Sequence, residues 1–170
     1  MGEAIVAWFA DIFGQGIGQV IGVFFISMLP IIELRGAIPV AYMFNFQWWP
    51  AMMLAMIGNM LPVPIILFFV EAVFDFMKKH NILKGFVEKM EQKATAKTAS
   101  VEKYRFWGLA LFVAIPLPGT GAWTGALIAS MMKMNKKDAM LSILVGVVGA
   151  GFIVTALVYG LVGSIVGWLG

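Results

Sequence analysis

Long charge-free blocks constrain this chain more than any other feature. No Asp, Glu, Lys or Arg lies between Asp11 and Glu33, Arg35 and Glu71, Arg105 and Lys133, or Asp138 and the C-terminus. Apolar runs of about 18 residues or more without charge read as membrane spans. The composition agrees: 61% of the 170 residues are hydrophobic and 12% are charged, against roughly 45–50% and about 25% in soluble domains. A soluble fold would lack the polar surface to cover itself. An all-α integral membrane protein is therefore expected, since helices satisfy their own backbone in lipid.

Several function classes fall away. The chain has no cysteine, so disulfides and thiolate metal sites are excluded. Its single histidine, His80, stands in a lysine-rich stretch and makes no metal site; no metal or other cofactor is expected. The net charge of +3 is no argument for nucleic acid. Met1-Gly2-Glu3 lacks the positive region of a leader peptide, so no N-terminal cleavage is expected.

Prolines and glycines punctuate the apolar blocks. Residues 2–13 read as a short interfacial helix. In 14–32, Gly14, Gly18 and Gly22 recur every four residues, a face for close helix contact. Pro30 interrupts, Glu33 and Arg35 follow, and Pro39 interrupts again. Residues 45–50 (NFQWWP) suit an interfacial aromatic belt. Residues 51–70 are long enough to span, with Pro62 and Pro64 expected to kink them. Ile82, Leu83, Phe86, Val87 and Met90 sit at helical spacing in the polar stretch 71–105, predicting an amphipathic surface helix. A block at 106–132 is broken by Pro116-Leu-Pro118-Gly119-Thr120-Gly121, and residues 139–170 are apolar and glycine-rich.

The basic residues fix the topology. Seven lysines and Arg105 lie within 78–105 and three more lysines within 133–137. The positive-inside rule puts both clusters in the cytoplasm. Block 106–132 must then enter the membrane and return on the same side, as a re-entrant hairpin turning at Pro116–Gly121. The same logic makes 14–45 a second hairpin and puts both termini outside. A repeat supports this: Pro50-AMMLAMI-Gly58 parallels Asp138-AMLSILV-Gly146, and Arg35-Gly-Ala-Ile38 parallels Thr124-Gly-Ala-Leu127. The expected fold is one transmembrane domain, an inverted repeat of two re-entrant helical hairpins, each followed by a transmembrane helix. Repeat 1 covers about 14–74, a cytoplasmic amphipathic segment about 75–103, and repeat 2 about 104–168.

Glu33 and Arg35 are the leading candidates for chemistry. A charge at the bilayer centre costs about 2.5–3.5 kcal/mol even on lenient insertion scales, and such residues face a cavity or the protein interior. The competing reading is mutual neutralisation, or capping of helix ends broken at Pro30 and Pro39. Arginine suits phosphate or carboxylate through its planar fork; a buried carboxylate suits proton carriage. The second candidate is the element Pro116 to Gly125, whose half-helix N-terminus would aim positive charge at an anion, with Trp123 and Thr124 as lining. It competes with a plain hairpin tip. Arg105 stands at the cytoplasmic mouth of this hairpin, where it draws in an anionic head group or simply snorkels. Asn59 faces the site or bridges helices.

The motifs Glu33-Leu-Arg35-Gly-Ala-Ile-Pro39 and Ile115-Pro-Leu-Pro-Gly-Thr-Gly-Ala-Trp-Thr-Gly125 resemble the family of small multidrug export proteins, over roughly residues 20–160. That family resembles, more distantly, the DedA (VTT-domain) superfamily. The resemblance implies two re-entrant hairpins, homodimers in the cytoplasmic membrane of a prokaryote, and in some members return of undecaprenyl phosphate to the cytoplasmic face. By that likeness Glu33 would be the coupling carboxylate. Arg35 would contact phosphate with Arg105, Gly119, Thr120, Gly121, Trp123 and Thr124. A proton-driven flippase of a lipid phosphate is then the first expectation and a proton-coupled exporter of small amphipathic or cationic drugs the second. Membrane lipids are expected partners, and nucleic acid is not. No nucleophile–base set stands in the apolar segments, so an enzyme is not expected.

Overall fold

The computed structural model describes residues 16–79, 105–117 and 119–162. The expected interfacial helix at 2–13, the amphipathic helix at 82–93, His80 and Pro118 lie outside these residues. Among the described residues every regular element is helical. In chain order these are α1 (Ile17–Met28), α2 (Glu33–Met43), α3 (Trp48–Met60), α4 (Pro62–Lys79), α5 (Arg105–Ala114), α6 (Ala122–Met131) and α7 (Lys136–Thr155). A π-helix (Ala156–Val162) continues from α7.

Two apolar stretches are long enough to cross a bilayer: Trp48–Val70, with 23 residues, and Lys136–Leu161, with 26. At 1.5 Å per residue they reach about 35 and 39 Å, against a hydrocarbon core of about 30 Å. Both carry a continuous exposed apolar stripe. Met53, Ile57, Leu61, Ile65 and Phe69 recur every four residues along the first. Leu141, Val145, Phe152, Leu157 and Leu161 do so, less regularly, along the second. Soluble monomers rarely expose so much contiguous apolar surface; hydrocarbon chains cover it without cost. This is a membrane protein.

The remaining apolar helices are short. α1, α2, α5 and α6 have 12, 11, 10 and 10 residues, or about 15–18 Å each. None can span alone.

The molecule divides into two compact units, one of Met1–Leu61 with Val148–Gly170 and one of Pro62–Val147. In the first, α1, α2 and α3 pack mutually through Val23, Leu34, Ala37, Ile38, Ala41, Ala51 and Ala55, all at most 1% exposed. The alanines let backbones approach closely, which is how helices associate where lipid removes the hydrophobic drive. Gly58 shows how closely. A Cβ there would run into Ser27 Oγ and come 2.7 Å from the Phe24 carbonyl oxygen. In the second unit α6 packs on α4 and α5, and Gly146 plays the same part. A Cβ there would lie 2.6 Å from the Ala110 carbonyl oxygen and 2.6 Å from Val113 Cβ.

The local backbone recurs along the chain. After α2 the amides of Phe44, Asn45 and Phe46 donate to the carbonyls of Val40, Tyr42 and Ala41. After α6 the amides of Met132, Lys133 and Met134 donate to Ile128, Ser130 and Ala129. Each of these six residues stands 88 positions after its counterpart. Asn45 and Lys133, also 88 apart, both take left-handed φ, 60° and 50°.

One proline expectation needs revision. Pro39 does not break a helix: it lies inside α2, which runs on to Met43. Proline lacks only its own N–H, and the rest of the ladder holds when neighbouring helices pack on both sides. Pro62 opens α4 at its first position, where a missing N–H costs nothing. Regular α structure lapses only at Leu61, whose amide reaches back to Gly58 at 3.4 Å. The π-helix at the end of the second span has no forewarning in the hydrophobic pattern.

Candidate functional site

The first hairpin turns at Leu29–Ile32, with Pro30 in the turn. The Glu33 amide donates to the Leu29 carbonyl at 2.9 Å, and Glu33 then opens α2 with φ 51°. That left-handed conformation is uncommon for a residue with a Cβ and carries strain. The side chain is 3% exposed. Arg35 is half-buried, and its charge and that of Glu33 attract, which offsets part of the cost of holding either in a low dielectric. Gly36 is needed for clearance, because a Cβ there would overlap the Ile32 side chain.

The depth of this tip follows from helix geometry. Glu33 lies ten residues from Met43, about 15 Å along α2. α3 starts after a four-residue turn and packs against α2. The tip is therefore level with the last turn of α3, and the Gly58–Ser27 contact fixes that level directly. Asn59 follows Gly58 and is the twelfth of 23 residues in its span, at the midpoint. Ser27, Glu33 and Asn59 are three of the four buried polar side chains described in this unit, with Thr155 the fourth. Ser27 Oγ donates to the Phe24 carbonyl at 2.6 Å.

At the other end of this hairpin Tyr42, Met43, Asn45, Phe46 and Tyr159 line an open cavity of about 420 Å³. Tyr159 packs edge-on against Tyr42 with ring centres 5.0 Å apart and donates its hydroxyl to the Phe46 carbonyl at 2.9 Å. The aromatic-belt residues 45–50 hint at an interfacial position, but nothing in the sequence pairs them with Tyr159.

The second hairpin, in the other unit, turns at Ile115–Gly121. It holds Pro116, half-exposed, and two glycines of left-handed φ, Gly119 at 81° and Gly121 at 123°. The Thr120 hydroxyl holds this turn together. It lies 2.6 Å from the Ile115 carbonyl and 2.8 Å from that of Leu117, sharing its hydrogen between them, and accepts from the Leu117 amide at 3.3 Å. Thr120 therefore serves the turn's own backbone. Thr120→Val should lower the unfolding midpoint in detergent by the equivalent of about 1–2 kcal/mol, with no loss of the helical spectrum. α6 follows from Gly121, with Trp123 and Thr124 half-buried in its first turn. Arg105 opens α5 and is exposed. Lys136, at the start of α7, sits 4.4 Å over the Phe68 ring of α4.

The nominated residues thus form two groups. Glu33 and Arg35 come together in the first unit, where Arg35 is the sole basic residue among those described. Gly119, Thr120, Gly121, Trp123, Thr124 and Arg105 belong to the second. Among the described residues no cluster of His, Cys, Asp or Glu is arranged to hold a metal. Sequence reasoning passed over Ser27 and Thr155, since single hydroxyls in apolar runs carry no pattern.

No curated protein and no solved structure matches the chain. Residues 33–153 match the family model described as "Putative small multi-drug export protein". The match begins at the buried glutamate, just after the first hairpin turn, takes in the second turn and covers well over half of the 170 residues. By that match, this chain belongs to the small multidrug export protein family.

Proposed function

We propose that the chain is a proton-coupled exporter of small amphipathic compounds, with Glu33 as the group that exchanges a proton for the passenger. The observation that carries this is a carboxylate 3% exposed, level with the middle of an apolar span. Such a charge costs several kcal/mol to keep and is by default functional. A carboxylate there attracts an organic cation or a proton, and the two compete.

The reading includes an inverted repeat of two re-entrant hairpins. Arms of about 15–18 Å joined by tight turns suit entry and exit on one side. The recurring turn, with all three hydrogen bonds 88 residues apart, suits duplicated halves. Two oppositely directed spans would bring the end of the second to the start of the first, as Tyr159 meets Phe46. They would also bring the start of the second to the end of the first, as Lys136 meets Phe68.

A second reading, translocation of a lipid phosphate such as undecaprenyl phosphate, is favoured by one observation. Arg35 stands half-buried beside Glu33, with a guanidinium suited to phosphate. It ranks second because the Thr120 hydroxyl of the other hairpin is engaged with its own turn.

The test is proton release from purified protein in weakly buffered detergent. Adding ethidium, an amphipathic cation, should release protons in a saturable manner. A polyprenyl phosphate should release none. Release by the phosphate and not by ethidium would reverse the ranking, and release by neither would end both readings.

A further inference from the structure

Asn59 is 1% exposed, and neither its amide nitrogen nor its amide oxygen has a hydrogen-bond partner in the protein. Leaving one buried polar group unsatisfied costs about 1–3 kcal/mol, and Asn59 leaves both. Ordinary membrane packing does not explain this. An asparagine that glues helices together does so by bonding across them, and this one bonds to nothing. Its burial also rules out a second copy of the chain as the partner, since a surface contact cannot reach it.

The position narrows what the amide is for. Gly58, the residue before Asn59, packs directly against Ser27 Oγ, so Asn59 stands at the level of the hairpin turn that presents Glu33. The Ser27 hydroxyl has spent its hydrogen on the Phe24 carbonyl and keeps its lone pairs. Midway along the span, Asn59 offers one N–H donor pair and one amide oxygen. The complementary ligand is neutral and both donates and accepts hydrogen bonds.

We infer that Asn59 is a ligand-contacting residue of the Glu33 site. It holds a neutral donor–acceptor group, either a water molecule or a hydroxyl or amino group of the passenger, at the level of the exchanging carboxylate. The inference rests on the exporter reading and adds a second contact to it. A held water would carry the proton to and from Glu33; a held passenger group would add directional recognition to charge.

The test uses the full-length protein in proteoliposomes, with ethidium as probe and Glu33→Gln as control. Asn59→Leu replaces the amide by an apolar group of similar size. It should fold, with an unfolding midpoint at or above wild type, because removing both stranded groups is neutral or stabilising. Proton-coupled ethidium transport should fall by about tenfold or more. Asn59→Ser, which keeps a donor and an acceptor, should recover much of the loss. If the ligand is water, ethidium affinity is unchanged in Asn59→Leu, and a water band identified by oxygen-18 exchange in the infrared spectrum disappears. If it is the passenger, ethidium affinity falls by about the same tenfold and the spectrum keeps its water bands. Wild-type transport by Asn59→Leu, with Glu33→Gln inactive, would overturn this inference alone. Wild-type transport by both would remove the exporter reading itself.

Discussion

Glu33→Gln should reduce proton-coupled export of ethidium on the order of a hundredfold or more, the usual worth of a positioned proton-transfer group. The substitution keeps size and hydrogen-bonding capacity and removes only the exchangeable proton and charge. Glutamine meets the same left-handed backbone at φ 51°, so the strain at the tip is unchanged. Arg35 loses its opposite charge, but it is only half-buried, so its guanidinium keeps some access to polar surroundings. A monodisperse elution profile and a wild-type helical spectrum would show the loss to be chemical. Ethidium-induced proton release should vanish in the same variant. The companion Arg35→Ala separates the two substrate classes. Export of a cation should survive it or improve, because a positive charge beside the site is gone, whereas movement of a phosphate should stop. Full transport by Glu33→Gln would mean the carboxylate is only a structural counter-charge.

Gly58→Val and Gly146→Val should each do the largest damage to folding. At Gly58 the added carbon collides with Ser27 Oγ, which the Phe24 carbonyl holds in place, and with that carbonyl itself at 2.7 Å. At Gly146 the obstacles are a carbonyl oxygen and a Cβ, both at 2.6 Å. Backbone atoms cannot rotate aside, so whole helices must part. Overpacking costs about 1–3 kcal/mol and more when the backbone has to move, which outweighs the roughly 0.5 kcal/mol or less of helix propensity gained on going from glycine to valine. Little folded protein should be recovered. Gly151→Ala provides the contrast. Its new carbon meets Met56 Sδ at 3.1 Å, the end of a flexible side chain that can swing away, so its melting curve should stay close to wild type. Normal yields of both valine variants would show that the helices are not held at glycine contact.

Much of this architecture is legible in the residues because lipid makes demands that composition must answer. Charge-free blocks mark the spans. The clusters Pro30 with Glu33 and Pro116 to Gly121 mark the turns, since a tight reversal between two helices needs residues of unusual backbone freedom. The parallel between Gly58 and Gly146 marks two close helix contacts that the structure places at carbonyl distance. Pro39 misleads because proline's effect on a helix depends on what packs around it, which one sequence does not record. Asn59 is the instructive case. Its identity is plain in the sequence, but only the geometry tells an amide that bonds across helices from one that bonds to nothing. The same holds for Tyr159, which meets Phe46 across 113 residues of chain.

The recurring turn has an energetic consequence. The turn recurs, but two polar groups of the first unit do not: Ala122 and Val147 stand 89 and 88 residues after Glu33 and Asn59. A machine whose halves were chemically alike could trade their conformations and arrive at a mirror image of equal free energy. On the exporter reading this chain cannot, because the groups proposed to hold a proton or a passenger stand in one unit alone. On that reading any such trade would lead between states of unequal free energy, and the chain would rest mainly in one of them.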